Sequence, residues 1–314
     1  MKVGSICTGI GGFELGLRLA GVEHELAWVS EIDPSANQVL AARFPDVPNI
    51  GDFTRTTPEA VDLLVGGFPC QPVSNAGRQK GTDDERWIFE EIVSLVGRLE
   101  RPPGWLLFEN VPGLLTANGG RAMATVVGRL ASIGYVGSWG RVSAASVGCC
   151  HKRERVFVTA RHSEGGGWDG PSVDRQTNMA PRPLGGANCF PRGEAPNAYG
   201  NVLRAEPLRF GGGFDSPIAT PTDCFPWGDY ELAVRQWEQV HGPAPWPVHG
   251  GRLNPMFVEW MMGFPTGWVT DVLPPNANGR SAPALRCLGN AVVPHVVAAV
   301  LADSRSNRGR VAVA

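Results

Sequence analysis

Short β-rich segments alternate with amphipathic helical patterns along the first half of the chain, from Lys2 to Arg161. Five segments favour strands: KVGSIC, HELAWVS, VDLLVGG, GWLLFEN and ERVFVTA. The helical patterns between them are FELGLRLAG, DPSANQVLAARF, ERWIFEEIVSLVGRLE and GRAMATVVGRLASIG. This alternation predicts a doubly wound α/β fold with a mostly parallel sheet. Because ligands of such folds bind at the carboxyl ends of the strands, residues that directly follow a strand are the first candidates for chemistry.

The composition changes after the fifth predicted strand. Between His162 and Asn254, glycine and proline make up 27 of 93 residues, and no clear periodicity appears before YELAVRQWEQV. A segment so rich in turn-forming residues is either a small irregular domain or an insertion. Helical patterns then resume with PMFVEWMMGF, and LGNAVVPHVVAAVLAD predicts a closing helix after a glycine turn.

Bulk composition narrows the class of protein. The chain has 314 residues, of which 43% are hydrophobic, so it is long enough to bury a substantial core. No uninterrupted apolar run approaches the roughly 18 residues of a membrane span, and polar residues interrupt the start MKVGSICTGI, so we expect a cytosolic protein. Seven cysteines and six histidines form no C-x-x-C motif and no metal-ligand spacing, which predicts reduced thiols and no metal.

A glycine turn, CTGIGGF, directly follows the first predicted strand and opens a helix. Glu31 ends the second predicted strand, 22 residues after Gly9, where a carboxylate can bind ribose hydroxyls. Asp52 in NIGDF follows a short strand candidate and would accept a hydrogen bond from the exocyclic amine of a purine. The turn has no Walker lysine, which favours a nucleoside-bearing cofactor over a phosphate loop. The glycines alone equally fit a tight strand-helix turn with two solvated acids.

Three further groups lie beside predicted strands: two at strand ends and one, HKRER, leading into the strand VFVTA. Cys70, in GGFPCQPVSNAG, follows an apolar run on a Gly/Pro-rich loop, where nucleophiles are placed, although a free cysteine is most often a small buried hydrophobe. Glu109 ends GWLLFEN, and apolar surroundings would raise its pKa and suit it to share a proton with a bound base. In HKRER, strand alternation would put Arg153 and Arg155 on one face. Taken singly, the acid and the arginines also fit structural or solvated roles.

Taken in order, these stretches closely resemble the bacterial and phage cytosine-5-specific DNA methyltransferase family, which uses S-adenosylmethionine. The matching stretches are CTGIGGF, SEID, GDF, GGFPCQPVSNAG, ERWIFEEI, ENVPG, HKRERVFV, NPMFVEWMMGFP and LGNAVVP. The resemblance implies a Rossmann-like methyltransferase domain made of residues 1–161 and 254–314. A small irregular target-recognition domain, residues 162–253, would interrupt it.

The resemblance also implies catalytic roles. Cys70 would add to carbon 6 of a flipped-out cytosine, so that carbon 5 can take the methyl group. Glu109 would hold the ring nitrogen and amino edge, Arg155 would contact the ring carbonyl, and Arg153 would support the site. The residues implied in the substrate loop and beside it are Pro69, Gln71, Ser74, Arg86 and Asn110.

Around the cofactor, the resemblance implies residues from both ends of the chain: Cys7, Gly9, Ile10, Gly12, Glu31, Ile32, Asp52, Phe53, Asn290 and Ala291. Glu31 would take the ribose, Ile32 would pack on the adenine, and Asp52 with Phe53 would hold the adenine edge. Three residues depart from the family pattern: Cys7 and Ile32 stand where aromatic residues are common, and His151 stands where glutamine is usual.

The implied partner is double-stranded DNA, bound by a monomer that works beside a separate cognate restriction endonuclease or stands alone. The net charge is only −2, and residues 162–252 hold seven arginines, no lysine and ten acids, so phosphate contacts would come from elsewhere. We expect such contacts from Arg78, Lys80, Arg86 and the arginines of the tail SRSNRGRVAVA, and base contacts among Arg204, Arg209 and the glycine loop RFGGGFDSP. Two alternatives stay open: a tRNA cytosine-5 methyltransferase of the same fold and a noncatalytic DNA-binding relative.

Overall fold

The structure is a computed structural model that describes residues 1–69, 88–164, 227–276, 279 and 281–306. Within these ranges, six strands form one sheet in the spatial order β2-β1-β3-β4-β6-β5. They are β1 (Lys2–Ile6), β2 (Glu25–Ser30), β3 (Leu63–Gly67), β4 (Trp105–Asn110), β5 (Tyr135–Ser143) and β6 (Glu154–His162). A small hairpin consists of β7 (Val248–His249) and β8 (Arg252–Leu253).

The described α-helices cover both faces of the sheet, and several of them follow its last strand in the chain. They are α1 (Gly12–Leu19), α2 (Pro34–Arg43), α3 (Phe89–Arg98), α4 (Arg121–Ser132), α5 (Glu231–His241), α6 (Pro255–Met261), α7 (Ala282–Asn290) and α8 (Pro294–Ser306). Two separate clusters of buried apolar side chains form the core, one on each side of the sheet. The doubly wound α/β prediction is therefore confirmed.

The strand directions place the candidate residues at one edge. Strands β2, β1, β3 and β4 run parallel to one another, whereas β6 is antiparallel to β4 and β5 is antiparallel to β6. The carboxyl ends of the four parallel strands consequently meet on the same side. The CTGIGGF turn, Glu31, the start of the GFPCQ stretch and Glu109 all lie there.

Three local features differ from the sequence prediction. The strand β5 was not predicted, and it forms an edge of the sheet. The short strand expected before Asp52 is only an isolated bridge between Val29 and Asn49. The closing helix is divided into α7 and α8, and Pro294 begins α8 because the first turn of a helix does not need the N–H that proline lacks.

The two ends of the chain pack together through α1 and α8. Gly16 has no room for a side chain, because a Cβ there would lie 2.4 Å from Val297 Cβ and 2.9 Å from the Pro294 carbonyl oxygen. Gly12 is equally close to the segment before α8, with a Cβ position 2.5 Å from the Val292 carbonyl oxygen. These two glycines let the C-terminal helix lie directly on the first helix.

Replacing Gly16 with alanine is expected to lower the free energy of unfolding by about 1–3 kcal/mol, the usual cost of overpacking a core. Urea denaturation would measure the loss. Gly128→Ala on α4 is the matched control, because nothing lies within 4 Å of its Cβ position. That control should be stabilised by about 0.4–1 kcal/mol through reduced chain entropy. Equal behaviour of the two variants would show that the close approach of α1 and α8 does not exist.

One stretch, Ala282–Ala302, is long and apolar enough to cross a membrane by length and composition, although polar residues interrupt it. The structure divides this stretch between α7 and α8, and 61% of its most apolar window is buried inside the protein. Burial of that kind is typical of core helices.

Candidate active site

The turn after β1 contains three residues in the left-handed region: Cys7 (φ 47°), Gly9 (φ 61°) and Gly11 (φ 88°). Glycine adopts this conformation at no steric cost, whereas cysteine does not. A Cβ at Gly11 would lie 2.7 Å from the Phe44 ring, but nothing lies within 4 Å of the Cβ position of Gly9. The turn is therefore tightly packed at Gly11, whereas the space next to the Gly9 backbone is open.

Thr8 fastens this turn to the end of β2. Its hydroxyl donates to the Ser5 carbonyl at 3.1 Å and accepts from the Ser30 amide at 3.2 Å, and its own amide donates to the Ser30 carbonyl at 3.1 Å. Thr8 is buried, so these bonds are shielded from water. The sequence prediction did not single out Thr8, because a threonine in a glycine-rich turn carries no distinctive signal.

Glu31 lies directly beside the turn. One carboxylate oxygen accepts from the Gly9 amide at 2.8 Å, and the other accepts from the amides of Ile32 and Asp33, each at 2.8 Å. A carboxylate has about four acceptor positions, so acceptor capacity remains for sugar hydroxyls. The structure thus brings Gly9 and Glu31 together, as the sequence predicted for a nucleoside pocket.

The residues predicted to hold an adenine differ in exposure. The Ile32 side chain is 72% exposed, which leaves a large apolar surface beside Glu31. Asp52 accepts from the hydroxyl and amide of Thr54, and these bonds lower its pKa, so the carboxylate is ionised at neutral pH. Phe53 is only 3% exposed and belongs to the core, so its ring does not face an open pocket.

Ile10 and Gly12 are core positions as well. The Ile10 side chain is 1% exposed, and Gly12 packs against Val292. Among the C-terminal candidates, Ala291 is buried and Asn290 is exposed at the end of α7. A cofactor role of Ile10, Gly12 or Ala291 would accordingly depend on backbone atoms or on packing beneath the pocket.

Glu14, in the first turn of α1, is fully buried below the glycine turn. Neither carboxylate oxygen has a hydrogen-bond partner of normal geometry among the described residues. Burial raises the pKa of Glu14 to about 7, while nearby Ser5 and Arg18 lower it in part. Since the pKa of the folded state exceeds that of an unfolded glutamate, the protonated side chain favours folding, and this contribution is lost as the pH rises towards 7.

Glu14→Gln is expected to remove this pH dependence. Between pH 5.5 and pH 8, the free energy of unfolding should fall by about 2 kcal/mol more in the wild type than in the variant. Urea denaturation at both pH values measures the difference. The exposed Glu100→Gln is the control and should keep the wild-type slope. Parallel slopes for Glu14→Gln and the wild type would contradict the burial of a titrating carboxyl group.

Glu109 and Arg155 form a largely buried ion pair where β4 ends. Arg155 Nε lies 2.7 Å from Glu109 Oε1, and the two side chains are 20% and 12% exposed. Burial raises the pKa of Glu109, while the guanidinium groups of Arg155 and Arg153 oppose the rise. The second carboxylate oxygen faces β3, since a Cβ at Gly67 would lie 3.2 Å from it. The two oxygens of this acid therefore have different surroundings: Oε1 pairs with Arg155, and Oε2 lies beside Gly67.

Arg153 and Arg155 have different contacts. Strand β6 begins at Glu154, so Arg153 precedes the strand, and the expectation that both arginines alternate within it does not hold. Arg153 donates to the carbonyls of Gly289 and Ala291, at 2.9 and 2.8 Å. It thereby connects the HKRER segment to LGNAVVP, while still influencing Glu109 by its charge.

His151, which departs from the family pattern, is buried. Its exposure is 5%, and burial lowers its pKa to about 3, with Arg153 adding to the effect. The imidazole is consequently neutral at physiological pH. A neutral ring can replace the amide of a glutamine without adding a charge beside the ion pair.

The base of the GFPCQ stretch is held by Asn110. Its amide donates to the Phe68 carbonyl at 3.2 Å, and its carbonyl oxygen accepts from the Val111 amide at 2.8 Å. Phe68 is buried and Pro69 is exposed, so the chain leaves the core between them. Eight predicted site or nucleic-acid contact residues lie outside the described residues: Cys70, Gln71, Ser74, Arg78, Lys80, Arg86, Arg204 and Arg209.

Comparison with known proteins agrees with the motifs. Residues 1–170 match the model of the family described as C-5 cytosine-specific DNA methylase. The chain is 32% identical over 298 residues to the type II methyltransferase M2.BsuMI of Bacillus subtilis (strain 168). The matched region covers 93% of this chain and 72% of that protein. The chain belongs to the C-5 cytosine-specific DNA methylase family. Another relative is the type II methyltransferase M.NgoMIV of Neisseria gonorrhoeae, 40% identical over 281 residues, or 88% of this chain and 74% of that protein.

Solved structures share the fold of this C-5 cytosine-specific DNA methylase. The Dnmt2 methyltransferase of S. pombe has a TM-score of 0.56 and 18% identity, with 98% of each chain covered. The methyltransferase EhMeth of Entamoeba histolytica has a TM-score of 0.55 and 17% identity, with 96% of each chain covered. At such identities, the likeness concerns the fold alone.

Proposed function

We propose that this methylase transfers a methyl group from S-adenosylmethionine to carbon 5 of a cytosine in double-stranded DNA. The observation that carries the proposal is the buried pair of Glu109 and Arg155, which stands at the strand edge where β3 leads into GFPCQ. A carboxyl group of raised pKa and a guanidinium group side by side match the hydrogen-bonding edge of a pyrimidine. Glu109 would hold the ring nitrogen and amino group, and Arg155 the ring carbonyl.

Cys70 is the proposed nucleophile, supported by the GFPCQ motif and by family membership. Its thiolate would add to carbon 6 of the cytosine, and the displaced electron pair would move to carbon 5 while Glu109 supports the charge change at the ring nitrogen. Carbon 5 would then take the methyl group. Loss of the proton from carbon 5 and departure of the Cys70 sulfur would restore the ring.

The target base must leave the duplex, because carbon 6 is not accessible to a thiolate inside the base stack. Extrusion costs a few kcal/mol, and contacts to the flipped base recover part of that cost. Arg155 and Glu109 together offer donors and an acceptor in fixed positions for this purpose. We propose Pro69, Gln71, Ser74, Arg86 and Asn110 as the surrounding substrate contacts, with Asn110 acting through the Phe68 carbonyl.

The described residues fit a nucleoside-bearing methyl donor. The open space at Gly9, the carboxylate of Glu31 fixed beside it and the exposed Ile32 would line one edge of the donor site. Glu31 would bind the ribose, and Asp52 would accept from the adenine amine. When bound, the donor supplies an electrophilic methyl group on a sulfonium sulfur. The chain itself provides the binding groups and holds the acceptor carbon in place.

The finer assignments are part of the same proposal. Residues 1–161 with 254–314 would form the catalytic domain, and residues 162–253 would select the DNA sequence. The enzyme would work in the cytoplasm as a monomer, without a metal, beside a separate restriction endonuclease of the same specificity. The names of the type II relatives support the proposal of a separate restriction endonuclease.

The direct test is expression in bacteria that lack cytosine methylation, followed by bisulfite sequencing of genomic DNA. We expect 5-methylcytosine at one short recurring DNA motif, with none in cells carrying the empty vector. Mass spectrometry of tRNA from the same cells provides the second arm. Methylated tRNA with unmethylated DNA would overturn the DNA assignment, and no methylation of either would overturn the enzymatic one.

A further inference from the structure

The loop after α6 lies against the glycine turn, although about 260 residues of chain separate the two. Trp268 Nε1 donates a buried hydrogen bond of 2.7 Å to the Ile10 carbonyl oxygen. The Trp268 side chain is 9% exposed, and its ring packs edge-on against the Phe44 ring with centroids 5.9 Å apart. In the same turn, nothing lies within 4 Å of the Cβ position of Gly9.

The Ile10 carbonyl occupies a sensitive place in the turn. It lies between Gly9 and Gly11, both of which have positive φ, and glycine-flanked peptide groups can rotate with little steric resistance. Because a peptide group is planar, a carbonyl fixed by the indole also fixes the Gly11 amide, which donates to the Thr8 carbonyl at 3.3 Å. The indole thus selects one orientation of the turn that bears the Gly9–Glu31 contact.

Trp268 is itself held from two directions. The buried Glu259 carboxylate accepts from the amides of Gly267 (2.7 Å) and Thr270 (3.0 Å), on either side of the tryptophan. From α2, Arg43 Nε donates to the Trp268 carbonyl at 2.9 Å, and its guanidinium carbon lies 5.5 Å from the centre of the Trp268 ring. An indole anchored in this way is a rigid donor.

We infer that Trp268 is a positioning residue for the cofactor site: it holds the glycine turn in the shape that binds the adenosyl group. This inference rests on the proposed use of S-adenosylmethionine. Trp268 does not touch the reacting atoms, so its loss should weaken cofactor binding and leave the chemical step intact. Removing one buried neutral hydrogen bond that preorganises the turn should raise the dissociation constant about three- to tenfold.

Trp268→Phe tests this inference because it keeps an aromatic ring and removes the N–H. Isothermal titration calorimetry on the full-length protein would measure the Kd of S-adenosylmethionine and of S-adenosylhomocysteine. We expect both Kd values and the KM for the donor to rise about three- to tenfold, with kcat at saturating donor within about twofold of the wild type.

Trp237→Phe is the matched control. It also removes one buried indole hydrogen bond, of 3.0 Å to the Trp260 carbonyl, but this bond joins α5 to α6. The control should lose thermal stability to a similar degree and keep the wild-type Kd. Equal Kd values in both variants, whether raised or unchanged, would overturn a positioning role for Trp268. A wild-type protein that binds neither compound would instead overturn the cofactor assignment.

If Trp268→Phe does not fold, Arg43→Lys takes its place. Lysine keeps the charge but lacks the planar fork of the Arg43 guanidinium, which donates from two separate nitrogens to the Trp268 and Gly267 carbonyls. We expect a smaller increase in Kd in the same direction. An unchanged Kd in a folded Arg43→Lys protein would contradict the inference.

Discussion

Replacing Cys70 with serine is expected to abolish methyl transfer and covalent capture on DNA that contains 5-fluorocytosine. A serine hydroxyl is far less acidic than a thiol, so almost no oxyanion is present at neutral pH to attack carbon 6. In the wild type, fluorine on carbon 5 replaces the proton that must leave, and the adduct therefore persists. Transfer of a radioactive methyl group to DNA and denaturing gel electrophoresis would measure the two effects.

A second cysteine provides the control for this prediction. Cys149 is buried, and burial raises its pKa well above the ordinary value, so its thiol is unsuited to attack. Cys149→Ala should retain both methyl transfer and capture. Capture that persists in Cys70→Ser, or that is lost in Cys149→Ala while the protein remains folded, would contradict the assignment of the nucleophile.

The parallel part of the sheet was predictable because each strand carries its own signal. The runs VDLLV and GWLLF are nearly continuous apolar stretches, as expected for strands covered on both faces. The start of α2 was also readable: Asp33 accepts from the amides of Ser35 and Ala36, and Pro34 stands in the first turn. Local chemistry of this kind does not depend on the rest of the fold.

The edge strand β5 had no such signal. The sequence YVGSWGRVS shows no regular alternation of apolar and polar residues, and most of the segment is at least partly exposed. Gly137 within it would have weakened any strand prediction, yet it is required by contact with β6, since a Cβ there would lie 2.2 Å from the Thr159 carbonyl oxygen. A glycine that weakens a local strand pattern can thus be required by the close approach of a neighbouring strand.

The candidate site likewise combines residues that local motifs predict with contacts that only the folded chain shows. The motifs pointed to Glu109, Arg155 and Glu31 as candidates because their residue types and positions beside strands carry chemical meaning. The contacts of Arg153 with Ala291 and of Trp268 with Ile10 join segments more than 130 residues apart. No local pattern specifies which carbonyl a buried donor will meet, so these supports are visible only in the folded chain.

Glu109→Gln is expected to lower kcat by about 10²–10⁴-fold, the usual contribution of a positioned acid or base. Glutamine keeps the size of the side chain and an oxygen that can accept from Arg155, but it cannot take up or release a proton. Because burial raises the pKa of Glu109, this carboxyl group holds a proton more readily than an exposed glutamate, which suits it to share a proton with the cytosine ring nitrogen. The limb of the pH–rate profile that reports this group should be absent in the variant.

Glu154→Gln is the matched control for that experiment. Glu154 is adjacent to Arg155 in sequence. The Arg155 guanidinium donates to the backbone carbonyl of Glu154 at 2.8 Å, and the substitution leaves this carbonyl in place. The control should keep the wild-type kcat and pH profile, while both variants should bind S-adenosylhomocysteine with the wild-type Kd, since neither residue belongs to the cofactor pocket. A loss of less than about tenfold in Glu109→Gln would mean that the carboxyl group orients Arg155 without holding a proton during the reaction.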